Sequence, residues 1–285
     1  MVEVIDFEVI LAERKAALIA LYPADKRAEV AATLALESEP LAINLQENAY
    51  REVLLRQRIN DAARAVMLAF AQGADLDHLA ALLGVQRLVV VAGTDDTPAV
   101  MESDTDLRKR VQMAPESFSV AGPEGAYISA TLNADGRVLD AGAKSPVPGA
   151  VLITVLSREG DGGASEELID AVANALNAED VRPLTDSVTV QSAEIVEYTV
   201  AATIFTFPGP DSAVVVAEAR KRLDAYVSDC HRIGRDVVIS GLHAALQVEG
   251  IERVVLTAPA ANVQTNDTQA PYCTSTVILY GGVNG

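Results

Sequence analysis

Apolar residues recur at helical spacing through roughly the first hundred positions, and strand-like alternation joins them only further on. Residues 7–22 predict a short helix, ended by Pro23. A much longer helix is expected to begin near Ser38, a suitable cap, with Pro40 in a first turn whose N–H has no partner anyway. Gly73 is its expected stop. Inside it, Leu41, Leu45, Asn48, Glu52, Leu55, Ile59, Ala62 and Val66 follow one another in steps of four and three, the spacing of a heptad seam. A second stripe (Ala49, Val53, Ala63, Met67 and Phe70) runs beside the first, so burial against more than one neighbour is expected. Asn48 and Glu52 set polar groups into the seam, a device that fixes helix register at a cost in stability. The same spacing also suits an ordinary helix of an intramolecular bundle, and the pattern leaves both readings standing.

Beyond this helix, Asp75 or Asp77 opens a short one, Leu76 to Leu83, which Gly84 closes. Val85 to Val91 reads as a strand, 93–98 as a loop and Asp104 to Met113 as a helix, with Pro115 in the loop after it. A new domain is expected around Gly122-Pro123. Its first module reads helix 123–130, strands 137–143 and 150–156, helix 165–177 and strand 187–192. The second reads strand 197–207, helices 212–228 and 239–248, then strands 252–257 and 274–280. Each holds a helix, a Gly turn (Gly136, Gly250), a Val-rich strand and an Ala/Pro linker, a local echo of related units. The expected class is α+β: an N-terminal helical region with a long bundle helix, then two small α/β sandwich modules, with domains at 1–121, 122–194 and 195–285.

Composition narrows the partners. Half of the 285 residues are apolar, but aromatic residues are 4% and Trp is absent, so the cores are built from Ala, Val, Leu and Ile. The net charge of −18, from 40 acidic and 22 basic side chains, repels phosphate backbones and anionic membranes, so nucleic acid is not an expected partner. It also keeps an Ala/Val-rich chain soluble and discourages premature self-association. No apolar run is long enough to span a membrane, and Glu3, Asp6 and Glu8 stand where a secretory signal would be basic. Cys230 and Cys273 are far apart and in no paired motif, as expected of reduced core residues in a cytosolic protein.

Candidate chemistry is thin. The loop Ser157-Arg158-Glu159-Gly160-Asp161-Gly162-Gly163 sits where a phosphate loop would, between strand and helix. It has no Lys, however, and Asp161, Glu166 and Glu167 would repel a phosphate while favouring the helix dipole, so a turn capped by Ser165 is expected. His78, His231 and His243 are scattered, with no metal-ligand spacing to each other or to a cysteine. Cys230 and His231 are neighbours that point about 100° apart on a helix, which argues against a thiolate pair. His231 and Arg232 read as complements of a helix C-terminus ahead of Gly234. Asp104 and Asp106 precede Leu107-Arg108-Lys109-Arg110 as an acidic first turn precedes a basic last turn, and Asp75, Asp77 and His78 read the same way. No catalytic, cofactor-binding or metal-ligating residue is assigned.

Several segments, in order along nearly the whole chain, resemble the baseplate assembly protein J family of contractile-tailed phages. They are 10–15 (ILAERK), 34–41 (LALESEPL), 46–52 (QENAYRE), 71–84 (AQGADLDHLAALLG), 107–116 (LRKRVQMAPE) and 121–123 (AGP). Further on come 155–162 (VLSREGDG), 178–186 (AEDVRPLTD), 209–211 (GPD), 234–236 (GRD) and 267–270 (DTQA). The resemblance implies a structural baseplate wedge protein with no catalytic residues. Two copies per wedge would join one copy of a smaller wedge protein through an N-terminal helical bundle. The wedges would close into a sixfold ring around the hub, with neighbouring wedges, the hub and sheath-proximal baseplate proteins as partners. It implies assembly in the host cytoplasm and residence in the tail baseplate of a virion or phage-tail-like particle. Other classes remain open on the residues alone: an enzyme with a pocket formed only in the fold, or a cytosolic adaptor with a dimerising N-terminal helix.

Overall fold

The Asp6 carboxylate starts the first helix by accepting the N–H groups of Glu8 and Val9, and α1 then runs Phe7–Leu21. In the computed structural model, which describes residues 3–94, 96–119, 123–178, 183, 185–209 and 211–283, the chain divides into one unit up to Gly84 and another from Val85. The expected module start at Gly122, Ala121 beside it, Pro210 and most of 179–184 lie outside the described residues.

The first unit is helical: α1, α2 (Arg27–Leu34), α3 (Pro40–Ala65) and α4 (Gly73–Ala81). Ile10 and Leu11 of α1 pack on Ala49, with Leu45 and Val53 of α3 beside them. The two helices run in opposite directions, since Glu3 bonds Asn60 while Arg14 bonds Glu52. Three expectations need correction. The residue that caps α3 is Glu39, without a side-chain cap bond, and not Ser38. The helix ends at Ala65, well short of Gly73. Val66 to Phe70 form a turn in which Met67 O accepts the N–H of Phe70 and Ala71, so that Ala71 enters the core. Apolar residues of that turn continued the helical pattern by coincidence of spacing. The helix α2 was not anticipated, and Leu34 is its single buried side chain, too little to create a periodic signal.

The second unit opens with a short antiparallel pair, β1 (Val89–Val91) and β2 (Val100–Met101), and α5 (Asp104–Met113), capped by Ser103. The strand expected from Val85 shrinks to β1 because the backbone before it bonds side chains instead. Gln86 O accepts from Arg110, and Leu88 N donates to Glu102. A 3-10 turn (Ala114–Phe118) and α6 (Glu124–Ala134) follow. Next come β3 (Val138–Lys144), β4 (Ala150–Ser157), α7 (Glu166–Leu176) and β5 (Ser187–Ser192). The sheet order is β3-β4-β5, with β4 antiparallel to β3 and parallel to β5. Leu168, Val172 and Leu176, one face of α7, meet Tyr127 and Leu132 of α6 and Ile153 and Val155 of β4 in its core.

The last stretch comprises β6 (Glu194–Thr206), α8 (Ser212–Cys230), α9 (Ile239–Leu246), β7 (Ile251–Ala258) and β8 (Gln269–Val283). Its sheet has the order β7-β6-β8, again with a central strand antiparallel to one neighbour and parallel to the other. Val200, Ala202 and Ile204 of β6 face Val215, Ala219 and Leu223 of α8 and Leu242 and Leu246 of α9. The mixed α+β class expected from the sequence is what the chain adopts. The two sheets are not independent beads. Leu156, Ala193 and Ala270 form a shared cluster with Leu139, Ile195 and Ile233. The buried Asp140 carboxylate on β3 accepts from Lys109 Nζ at 2.7 Å and from Ile233 N at 3.1 Å, and Lys144 meets Asp267 at 2.5 Å.

Candidate assembly surface

One face of α3 is consumed by α1. Ala42 and Ala49 are fully buried, and small side chains there let the helices approach closely. Polar bonds lock the contact: Glu52 binds Arg14 and also Arg56 (2.6 and 2.9 Å), while Arg56 reaches on to Glu3. Those bonds from Arg56 and Arg14 hold the Glu52 carboxyl below its ordinary range, and Glu52 in turn raises Arg56.

The structure sorts the expected seam residues into two groups. Leu45, Asn48 and Glu52 are half-buried, and Leu45 and Glu52 serve the α1 contact. Asn48 bonds Asn44 one turn back, at 2.9 Å to its carbonyl and 2.8 Å to its side-chain oxygen. Leu41, Leu55, Ile59, Ala62 and Val66 instead face outward; Leu55 is 64% exposed, Ile59 68% and Val66, the C-cap residue, 71%. At 3.6 residues per turn Leu41, Leu55, Ile59, Ala62 and Val66 lie within a narrow angular band, a quarter-turn or so from the α1-facing side. Leu54, Tyr50 and Ile43 are exposed on the flank beyond. The row leaves large aliphatic side chains in water along α3 and at its C-cap. From the sequence, the outward and α1-facing parts of the seam could not be separated, because a heptad repeat does not say which flank the neighbouring helix takes.

Chemistry of the other kind is sparse. Among the described residues no three His, Cys, Asp or Glu side chains gather as a metal site would require. The second unit has a cleft of 680 Å³ lined by Asp106, Arg158, Asp224, His231, Arg232 and Cys273, among others. Most of its polar groups are engaged with one another or with backbone. Arg158 binds Asp106 at 2.8 Å, His231 Nδ1 meets Pro271 O at 2.7 Å and Arg232 donates to His231 O. The His231 ring, at the C-cap of α8, therefore also braces β8. Gly162, with φ 103°, passes beneath it, and a Cβ there would stand 2.8 Å from His231 Nε2. Asp104 and Asp106 are likewise more than dipole complements, because each also grips an arginine, Arg87 and Arg158. Burial pushes the Cys273 thiol up, away from the thiolate form a nucleophile needs. Ser165 caps α7 through Leu168 N, and the Asp161 carboxylate accepts from Gly163 N, so the 157–163 loop is a capped turn.

Comparison with known proteins finds similarity along nearly the whole chain. Residues 37–94 match the Baseplate J-like N-terminal domain, 119–192 the Baseplate J-like central domain and 198–279 the C-terminal domain of Baseplate J-like proteins. Baseplate protein J of Escherichia phage P2 is 55% identical over 286 aligned residues, covering 99% of this chain and 95% of the phage protein. Among solved structures, a chain of the sixfold-symmetrised baseplate of the anti-feeding prophage aligns with 64% of this chain at 16% identity and a TM-score of 0.40. The alignment covers 44% of that baseplate chain.

Proposed function

Because the chain belongs to the Baseplate J-like family, we propose that it is a structural component of a phage-type contractile-tail baseplate, working through its surfaces rather than through catalysis. The observation that carries the reading is the outward aliphatic row of α3, Leu41, Leu55, Ile59, Ala62 and Val66. A helix of 26 residues that spends one face on α1 and leaves a second apolar face open is built to complete a bundle with other chains. In the proposed wedge, two copies bring their α3 helices to one smaller wedge protein. The described residues up to Gly84 act as the bundle unit, and those from Val85 carry the sheets that meet neighbouring wedges, hub and sheath-proximal proteins. Assembly takes place in the host cytoplasm before the particle is released. The net charge of −18 supports an ordered sequence, since free copies repel weakly until the bundle raises their effective concentration.

Co-expression of the full chain with the other tail proteins tests this. Wild type is expected to co-purify with a smaller tail protein and to enter particles. Ile59→Asp places an unpaired carboxylate in the completed bundle and is expected to lose the partner. Normal assembly by Ile59→Asp would show that this row is not an interface.

A further inference from the structure

Residues 86–89, near the start of the second unit, are fastened by one buried ion pair: Glu102, just ahead of α5, and Arg110 on it. Gln86 O accepts from Arg110 Nη1 at 3.1 Å. Leu88 bonds Glu102 twice, its N–H donating to Glu102 Oε2 and its carbonyl accepting from Glu102 N, each at 3.0 Å. Arg87 adds a bond to the Glu102 carbonyl at 2.8 Å. Gly136 lets the segment lie close, since a Cβ there would stand 2.1 Å from Val89 O. The Glu102 side chain is 2% exposed, and its two oxygens are treated unequally. Oε2 accepts from both Leu88 N and Arg110 Nη1, whereas no described residue donates to Oε1. A carboxylate oxygen buried without a donor is costly, because it has given up its bonds to bulk water.

Glu102 lines a cavity of about 10 Å³, room for a single water-sized molecule. Leu88 and Leu132 form part of its wall, which also carries the cations Lys109, Arg110 and Arg158 and a second carboxylate, Asp106. We propose that this cavity is a structural water site, in which one water molecule donates to Glu102 Oε1 and turns its oxygen towards the cationic part of the wall. The occupant follows from size and charge. A metal ion would face three positive side chains, and the carboxylates near it are already engaged: Glu102 with Arg110, Asp106 with Arg158 at 2.8 Å, and Asp140 with Lys109 at 2.7 Å. An anion would have to sit against the very oxygen that lacks a donor. Water is neutral, fits the volume, and both donates and accepts, so it satisfies Oε1 and the wall together. It completes the hydrogen bonding of the ion pair and thereby helps to fix residues 86–89 in place.

A crystal structure of the full chain, at a resolution that places ordered solvent, tests this. One water is expected about 2.8 Å from Glu102 Oε1, with density as strong as that of the side chains around it. Crystals soaked in bromide are expected to show no anomalous peak at that place. In Arg110→Met/Glu102→Leu, which removes the charged pair and its unpartnered oxygen together, the water is expected to be lost. The wild-type crystals decide whether the site exists, and the double variant decides whether Glu102 holds it. A wild-type cavity without solvent density, a Glu102 Oε1 bonded to a protein donor, a bromide peak, or a water that keeps its place in the double variant would each overturn the proposal.

Discussion

At the scale of single residues, ion pairs with very different burial determine how the protein responds to mutation and acid. Arg110 and Glu102 form a pair whose side chains are 7% and 2% exposed, and Arg110 also holds Asn133 and Gln86 O. Burial pushes the Arg110 guanidinium down from its usual range, and the Glu102 charge opposes that shift. Removing one partner leaves the other charge stranded, so Arg110→Met is expected to destabilise the chain by about 3–5 kcal/mol. Arg110→Met combined with Glu102→Leu should cost much less, and urea denaturation of both variants reads the difference. Glu52 behaves differently because it is partly open to solvent. Its folded-state pKa lies below the ordinary value of 4.5, so the stability it adds is complete above that value and is lost as pH falls through the folded pKa. The α1–α3 contact should therefore loosen in acid, seen as faster amide exchange in α1 below about pH 4.5, and Glu52→Gln should flatten that dependence.

At the scale of elements, α3 shows what periodicity conveys and what it omits. The sequence pattern identified a long helix with two apolar stripes; Ala49, Val53 and Ala63 of the second lie on α3, whereas Met67 and Phe70 fall in the turn after it. It could not say that Ala49, among the smallest members of either stripe, is the buried centre while the larger Leu55 and Ile59 stay outside. Small residues permit close helix contact, and a pattern scored by hydrophobicity undervalues them. Substitution makes the contrast measurable. Ala49→Asp should cost about 4 kcal/mol in the isolated chain, whereas Ile59→Asp should leave the melting temperature nearly unchanged. Equal losses from both would mean that Ile59 is packed within the subunit. Strands with alternating apolar residues, such as β6, were legible, whereas α2 was not, because a helix with one buried side chain leaves no stripe. The role of His231 was hidden for another reason: its partner, Pro271, lies forty residues away on a strand whose start the sequence pattern set too late.

At the scale of the molecule, the family membership and the open apolar row of α3 support one account: a subunit whose work is done at its contacts. The junction of the two sheets fits this role. Asp140, Lys144 and the Leu156–Ala193–Ala270 cluster tie the two sheets of the second unit together through packed side chains and polar bonds. That tie has no signature in the residue pattern, because its members are single residues on separate elements with no periodicity of their own. Location within a tail particle is the property to measure, and electron cryo-microscopy of particles carrying this chain with a small tag in the exposed 159–161 turn measures it directly. The account predicts tag density confined to the baseplate, repeated around the tail axis. Density along the sheath or in the head, or particles with complete baseplates that lack the chain, would contradict it.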